Sequence, residues 1–326
     1  VRKSLIVLLS LTAAVAVAAV AAVAAVQAGA RPAVGACIDP LPAGGFNAYR
    51  VQAGDGNCLQ GYAWAPAEAT PRAVLVVVHG LGDHARRYGA LAQALNAQGV
   101  AVLAQDHRGH AGSGGARQRI DSVEQAVGDV GLALQEAARR WPAVPVYLHG
   151  HSFGGLVVAH LAAVTAETAA QPLAGVVVSS AALQRPAGFS DGQLAVVRTL
   201  SVLAPALGLE PLDPAKVVRE PAAQAALAAD PFVSQEKLPA RTVAALLTGV
   251  DAIQPKLAQV RQPLLVLHGG ADVVTPPAGS RTLHERAVSA EKTLRLYDAA
   301  RHDLLHEPEA AAVTQEIATF VTRERR

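Results

Sequence analysis

Val144-Pro-Val-Tyr-Leu-His149-Gly150-His151-Ser152-Phe153-Gly154-Gly155 changes its pattern halfway along. Residues 144–148 form a short apolar run without helical periodicity, which reads as a buried strand. Residues 156–169, rich in Ala, Val and Leu, read as a helix. The junction is G-x-S-x-G, the pattern of a nucleophile elbow. Gly150 and Gly154 flank a turn too tight for side chains, and Ser152 projects above the sheet. Gly155 adds a small residue where the helix packs on neighbouring strands. A serine that merely occupies a turn is the bland alternative; a strand before it and a helix after it favour the nucleophile.

A serine hydroxyl is a poor nucleophile near neutral pH, so it needs a base, and the base needs an orienting carboxylate. After such an elbow the order along the chain is serine, acid, histidine. Of eleven histidines, His302 follows the last strand-like run, 293–297, and precedes a helix expected from about Glu307. That places it in a loop at the carboxyl edge of a sheet, where α/β sites collect. His306 shares the loop and is the nearest competitor. The acid is expected after the preceding strand. Pro263-Leu-Leu-Val-Leu-His-Gly269 is nearly all apolar, and Gly270-Ala-Asp272-Val-Val-Thr-Pro276 follows at once, so Asp272 is the candidate. Its bland reading is an Asx-turn residue. Asp251 and Asp303 are weaker because neither follows a clear strand.

An oxyanion needs main-chain N–H donors. Phe153, directly after the serine, supplies one. The second is expected from the loop after Val74-Leu-Val-Val-Val-His79-Gly80-Leu81-Gly82, where glycines free the backbone beside Leu81. His79 reads as a prop for that loop rather than as a second base.

Taken together these blocks resemble the monoacylglycerol lipase and lysophospholipase branch, of serine aminopeptidase S33 type, in the α/β-hydrolase superfamily. His79-Gly-Leu-Gly-Asp-His-Ala-Arg-Arg-Tyr88 is similar to that branch's oxyanion block. Asp106-His-Arg-Gly-His-Ala-Gly-Ser-Gly-Gly115 is similar to its Asp-x-Arg-Gly-His loop. The elbow, the Asp272 block and residues 297–307 match as well, from about Phe46 onward. Ala111 departs from the pattern, standing where a third loop glycine is common. The resemblance implies loop-bracing roles for Asp106, Arg108, His110 and Ser113. It also implies an α/β-hydrolase fold: a mostly parallel central sheet with helices on both faces and an inserted helical cap.

The chain has 326 residues, 51% hydrophobic and 17% charged, with a formal net charge of +2. A sizeable core is expected, and the near-balanced charge argues against nucleic-acid binding. No metal is expected, because His107 and His110 lack further ligands at zinc spacing. Gly112-Ser-Gly-Gly115 is no phosphate loop, because it lacks the Gly-Lys-Ser/Thr order. No cofactor is implied. Arg2 and Lys3 precede an apolar run over 5–26 and a small-residue Ala28-x-Ala30 site. Residues 1–30 read as a signal peptide cleaved after Ala30, or as an uncleaved N-terminal membrane anchor; a lipid-modified Cys37 is a third reading. Each exports the domain, to the periplasm or beyond. In an oxidising compartment the only two cysteines, Cys37 and Cys58, read as one disulfide.

Residues 31–45 read as a linker and 46–326 as one hydrolase domain. Strand-like runs at 74–78, 100–104, 144–148, 175–179, 264–267 and 293–297 alternate with helical stretches, which argues a mostly parallel sheet. Residues 46–52 and 59–64 read as an antiparallel hairpin. Alternation stops over about 183–261, the expected cap. Its mostly apolar stretch 193–209 is either a helix packed on the body or a lid whose outer face touches lipid. The reading reached is an exported serine ester hydrolase acting on single-chain lipid esters, monoacylglycerols or lysophospholipids, through an acyl-enzyme. A short-chain esterase, thioesterase or acyltransferase with the same residues is the near alternative, and a non-catalytic binding protein the distant one. A carboxylate nucleophile, as haloalkane or epoxide chemistry needs, is absent from the elbow.

Overall fold

The computed structural model describes residues 36–37, 45–66, 70–165, 172–211 and 213–323. The apolar run over 5–26 and the cleavage site at Ala28-x-Ala30 lie outside the described residues. Among the described residues no helix is long and apolar enough to cross a membrane.

An antiparallel hairpin, β1 (Asn47–Gln52) and β2 (Cys58–Trp64), opens the sheet. β3 (Ala73–Val78) and β4 (Val100–Gln105) follow, separated by a 3₁₀ turn (Ala85–Tyr88) and α1 (Gly89–Asn96). Next come α2 (Val123–Arg140), β5 (Val146–His151), α3 (Phe153–Thr165) and β6 (Gly175–Ser179). The cap stretch then holds α4 (Asp191–Leu203), β7 (Gly208–Glu210), α5 (Pro214–Val217), α6 (Pro221–Ala229), β8 (Leu238–Pro239) and α7 (Ala240–Ile253). β9 (Leu264–Gly269), α8 (Pro277–Arg286), β10 (Lys292–Tyr297) and α9 (Ala310–Thr322) close the chain.

The large sheet has the order β1-β2-β4-β3-β5-β6-β9-β10, and from β4 to β10 every pair is parallel. Its central strands are buried at every residue, as strands covered on both faces must be. Alternation sorts the two layers. Val74, Val76 and Val78 pack with side chains of α2, α3, α7 and α8. Leu75 and Val77 face the layer of α1 and α9. All loops after β3, β5, β9 and β10 therefore emerge at one sheet edge, bringing Leu81, Ser152, Asp272 and His302 to the same end.

Three local readings shift. The strand expected over 144–148 runs on to His151, because Gly150 and His151 keep their pairing with Val78 and with Ser179. The stretch 193–209 is not one helix: α4 ends at Leu203, ahead of Pro205, and the chain turns into β7, which pairs with β8. Before α9, residues Leu304–His306 form a 3₁₀ turn, so the helix begins later than Glu307.

Candidate active site

The turn at Ser152 is built from what cannot fit there. β5 ends at His151 and α3 starts at Phe153, so a single residue reverses the chain, with φ at 55°. That left-handed conformation costs a non-glycine residue about 1–3 kcal/mol. The geometry is held by Ser152 N–H donating to Ser179 O, and by Leu156 and Ala182 N–H donating to Ser152 O. A Cβ on Gly150 would lie 2.3 Å from Gly154 O, and one on Gly154 only 2.1 Å from Val78 O. Glycine is required on both sides.

Asp272 and His302 meet across the edge. His302 Nδ1 lies 2.8 Å from Asp272 Oδ2. A carboxylate only accepts, so Nδ1 carries the proton and Nε2 is left as the ring's acceptor. Asp272 Oδ1 accepts the N–H groups of Val274 and Thr275 at 2.7 and 2.9 Å. Thr275 Oγ1 donates to Oδ2 at 2.8 Å. His268 Nε2 lies 3.2 Å from the same oxygen, and its Nδ1 is 2.7 Å from Ser280 Oγ. Burial pushes the Asp272 carboxyl up, but the facing His302 and the hydrogen bonds from His268, His302 and Thr275 outweigh it. The group is held well below the usual carboxylate range. Asp272 is thus both an Asx-turn residue and the partner of His302.

The loop after β3 is braced from beneath. His107 N–H donates to His79 Nε2 at 2.9 Å, so the His79 proton sits on Nδ1 and is donated to Gly80 O at 2.7 Å. Burial, then the rings of His107 and His110, hold His79 well below its ordinary value, and it stays neutral. It props the Gly80–Leu81 backbone. A Cβ on Gly80 would meet Ser152 Cβ at 3.1 Å, so this backbone runs directly over the serine. Among the described residues, no main-chain carbonyl accepts from the Leu81 or Phe153 N–H.

The 106–113 loop is tied as the resemblance implies. Asp106 accepts from Ala85 N–H, Gly112 N–H and Tyr62 OH. Arg108 grips Asp129 with two bonds of 2.7 Å and reaches Asp55. Ser113 Oγ donates to Asp106 O and His110 Nδ1 to Arg108 O. Ala111, in place of the expected glycine, takes φ of 37°.

Gly80, Leu81, Ser152, Phe153 and His302 border one cavity of about 130 Å³, walled on the cap side by Val217, Leu227, Val233, Leu238 and Leu246. The competing candidates are engaged by other partners. His306 faces Asp303, and Asp251 pairs with Arg185 in the cap. Asp303 pairs with Arg87 at 2.7 Å, and Arg87 also holds Asp83 at 3.0 Å. This Asp83–Arg87–Asp303 chain borders the cavity and escapes a sequence reading, although the Arg87-Tyr88 pair ending the oxyanion block was a signal. His151 was missed too: its ring lies 4.8 Å from that of His302, and burial, then His302, lower it to about 4.

The family described as "Serine aminopeptidase, S33" matches residues 69–309. The chain is 37% identical over 259 residues to the monoacylglycerol lipase of Mycolicibacterium smegmatis, covering 79% of this chain and 90% of that protein. It is 32% identical over 272 residues to the monoglyceride lipase of Homo sapiens, covering 82% and 88%. The crystal structure of the Paleococcus ferrophilus monoacylglycerol lipase matches with a TM-score of 0.70 at 28% identity, over 85% of this chain and 98% of that one. A match reaching from the approach to β3 to the loop past His302 places this protein in the serine aminopeptidase S33 family of α/β-hydrolases.

Proposed function

We propose that this protein is an exported hydrolase of single-chain lipid esters, monoacylglycerols or lysophospholipids, working through an acyl-enzyme on Ser152. The observation that carries this reading is the 2.8 Å bond from His302 Nδ1 to Asp272, beside the same apolar cavity that holds Ser152. The monoacylglycerol lipases among its relatives support the substrate class.

In this mechanism His302 Nε2 takes the Ser152 proton as Oγ attacks the ester carbonyl carbon. The N–H groups of Leu81 and Phe153 donate to the oxyanion. The tetrahedral intermediate collapses, the carbon–oxygen bond to the alcohol breaks, and His302 gives that oxygen its proton. His302 takes a proton from water as it attacks the acyl carbon; the bond from that carbon to Ser152 Oγ then breaks, Oγ takes the proton from His302, and the fatty acid leaves. No step calls for a cofactor. Asp272 keeps the His302 ring in the required tautomer throughout.

Export is supported by the basic start and apolar run over 5–26, and by the bond joining Cys37 to Cys58. Membrane contact through the cap is supported by Val196, Val202, Leu203 and Leu207, large apolar side chains left exposed around α4. One observation favours a second reading, a short-chain esterase. A cavity of about 130 Å³ falls short of the roughly 300 Å³ where ligand pockets begin, so a long acyl chain requires the cap-side wall of Val217, Leu227 and Val233 to give way.

Fatty-acid release from monoolein, lysophosphatidylcholine and short p-nitrophenyl esters, wild type against Ser152→Ala, tests both. Long-chain turnover that drops in the variant to a residual of roughly 10³–10⁴-fold over water is the expected result. Turnover confined to short esters selects the second reading. An unchanged Ser152→Ala rate sinks both.

A further inference from the structure

The cap does not rest on the sheet alone. Its middle stretch, residues 213–233, has a small apolar cluster of its own, Val217, Val218, Leu227 and Val233, separate from the two core layers. Val217, Leu227 and Val233 of that cluster form the cavity wall facing Ser152. This stretch is held at one end by the Asp230–His84 pair and by Arg86 over the Phe232 ring, and at the other by the loop that carries His302. Asp303 N–H donates to Val217 O at 3.0 Å, and the Arg301 guanidinium donates to Ala215 O and Val218 O.

Glu307 is the centre of this contact. Its side chain is fully buried, its Oε1 accepts Arg219 N–H at 2.7 Å, and Arg219 Nε lies 3.1 Å from its Oε2. Glu307 stands in the same segment as His302, five positions further along the chain. Arg219 continues to Glu309 at 2.7 Å. A single buried carboxylate in the segment after His302 therefore holds the main chain of the cap, next to the Asp303-to-Val217 bond. Hydrogen bonds to charged groups are the strong and directional ones, so the two segments are fixed relative to each other rather than merely packed.

We propose that Glu307 and Arg219 are positioning residues that make the seating of the acyl-binding wall and the alignment of His302 one event. This rests on His302 being the general base. An acyl chain pressing on Val217, Leu227 and Val233 is felt at His302 through residues 217–219, and a vacant or displaced wall leaves the ring free to shift. A misplacement of about 1 Å at a reacting group lowers rates about 100-fold.

The test compares Arg219→Met, Glu307→Gln, the double variant and Arg219→Lys with wild type, on p-nitrophenyl acetate and on monoolein, with circular dichroism reporting folding. Acetate is too short to need the wall, so it isolates His302. Each of the Met and Gln variants is expected to lose about 10- to 100-fold in kcat on acetate, and KM for monoolein rises in addition. The double variant falls no further than the worse single one, as coupled residues do, and Arg219→Lys recovers part of the rate by restoring the charge. A wild-type kcat on acetate with a raised KM for monoolein means cap support only, and overturns the proposal. Additive losses overturn it too. If Glu307→Gln does not fold, the Arg219 variants, at a partly exposed side chain, decide alone. A wild type without Ser152-dependent turnover instead overturns the hydrolase reading itself, a failure distinct from an active wild type whose variants are unaffected.

Discussion

Asp272 has more donors around it than orienting one imidazole requires. Its Oδ1 fixes the turn through Val274 and Thr275, and its Oδ2 faces His302, Thr275 and His268. These donors keep a buried carboxyl ionised, so in the proposed mechanism the charge stands ready when His302 becomes an imidazolium. Asp272→Asn keeps the acceptor for the turn but can present its amide N–H to His302 Nδ1, which drives the ring proton to Nε2. The expected outcome is a kcat lower by about 10⁴-fold in a protein that folds normally by circular dichroism; a kcat within tenfold of wild type would remove Asp272 from the reaction. Asp272 and His302 are legible in the sequence because each lies just past an apolar run that can only be a strand. His268 is not. Within Leu-Leu-Val-Leu-His-Gly it reads as one more strand residue, and only the fold shows its ring turned toward Asp272. Arg219 and Glu307 hide for a similar reason, since 88 positions separate them and neither sits in a recognisable pattern.

The elbow and the strand edges above it set how much each glycine matters. Gly154 packs against the β3 backbone, where an added Cβ would lie 2.1 Å from Val78 O and 2.6 Å from His79 O. Neither atom can give way without breaking the β3–β5 ladder. Gly80 faces only side chains, Ser152 at 3.1 Å and the His151 ring at 3.4 Å. Gly154→Ala is therefore expected to lower stability by at least the roughly 1–3 kcal/mol of core overpacking, read as a lower urea midpoint or insoluble expression. Gly80→Ala keeps the urea midpoint and loses activity by displacing the serine. Equal midpoints for the two variants would contradict this division. Strand and helix alternation made the sheet readable, down to the hairpin before it. The cap was readable only as an interruption. β7 and β8 are three and two residues long, too short for any period, and they pair across 28 positions because α4 stops short of Pro205.

The molecule as a whole keeps an unusual number of imidazoles dry. Burial lowers His107 and His149 to about 3 and His110 and His151 to about 4; a neighbouring histidine adds to it at His107, His149 and His151, and Arg117 at His110. His79 is also held well below its ordinary value in the same cluster, its ring 4.4 Å from that of His107. In the unfolded chain each returns to about 6.5. The folded state then binds fewer protons than the unfolded one at every pH below that value, so stability falls as pH falls. The window opens near pH 6.5 and closes only near pH 3–4, where the folded rings protonate. Within it each ring contributes a loss of about 1 kcal/mol by pH 5.5, against a total margin of about 5–15 kcal/mol. Asp272 and Asp303, held low by their partners, add a loss of the same sign below about pH 4. Asp106 and Asp129, raised by burial, act the opposite way and offset part of this loss. The Cys37–Cys58 bond closes a loop of sequence separation 21, worth about 3 kcal/mol through the unfolded state, and this does not vary across the acid range. Urea midpoints are therefore expected to decline steadily from pH 7 to pH 5, with the oxidised protein displaced upward from the reduced one by a constant amount. A midpoint that stays level to pH 5 would mean that these rings take up protons inside the fold, and the dry-histidine account of the loop after β3 would have to be abandoned.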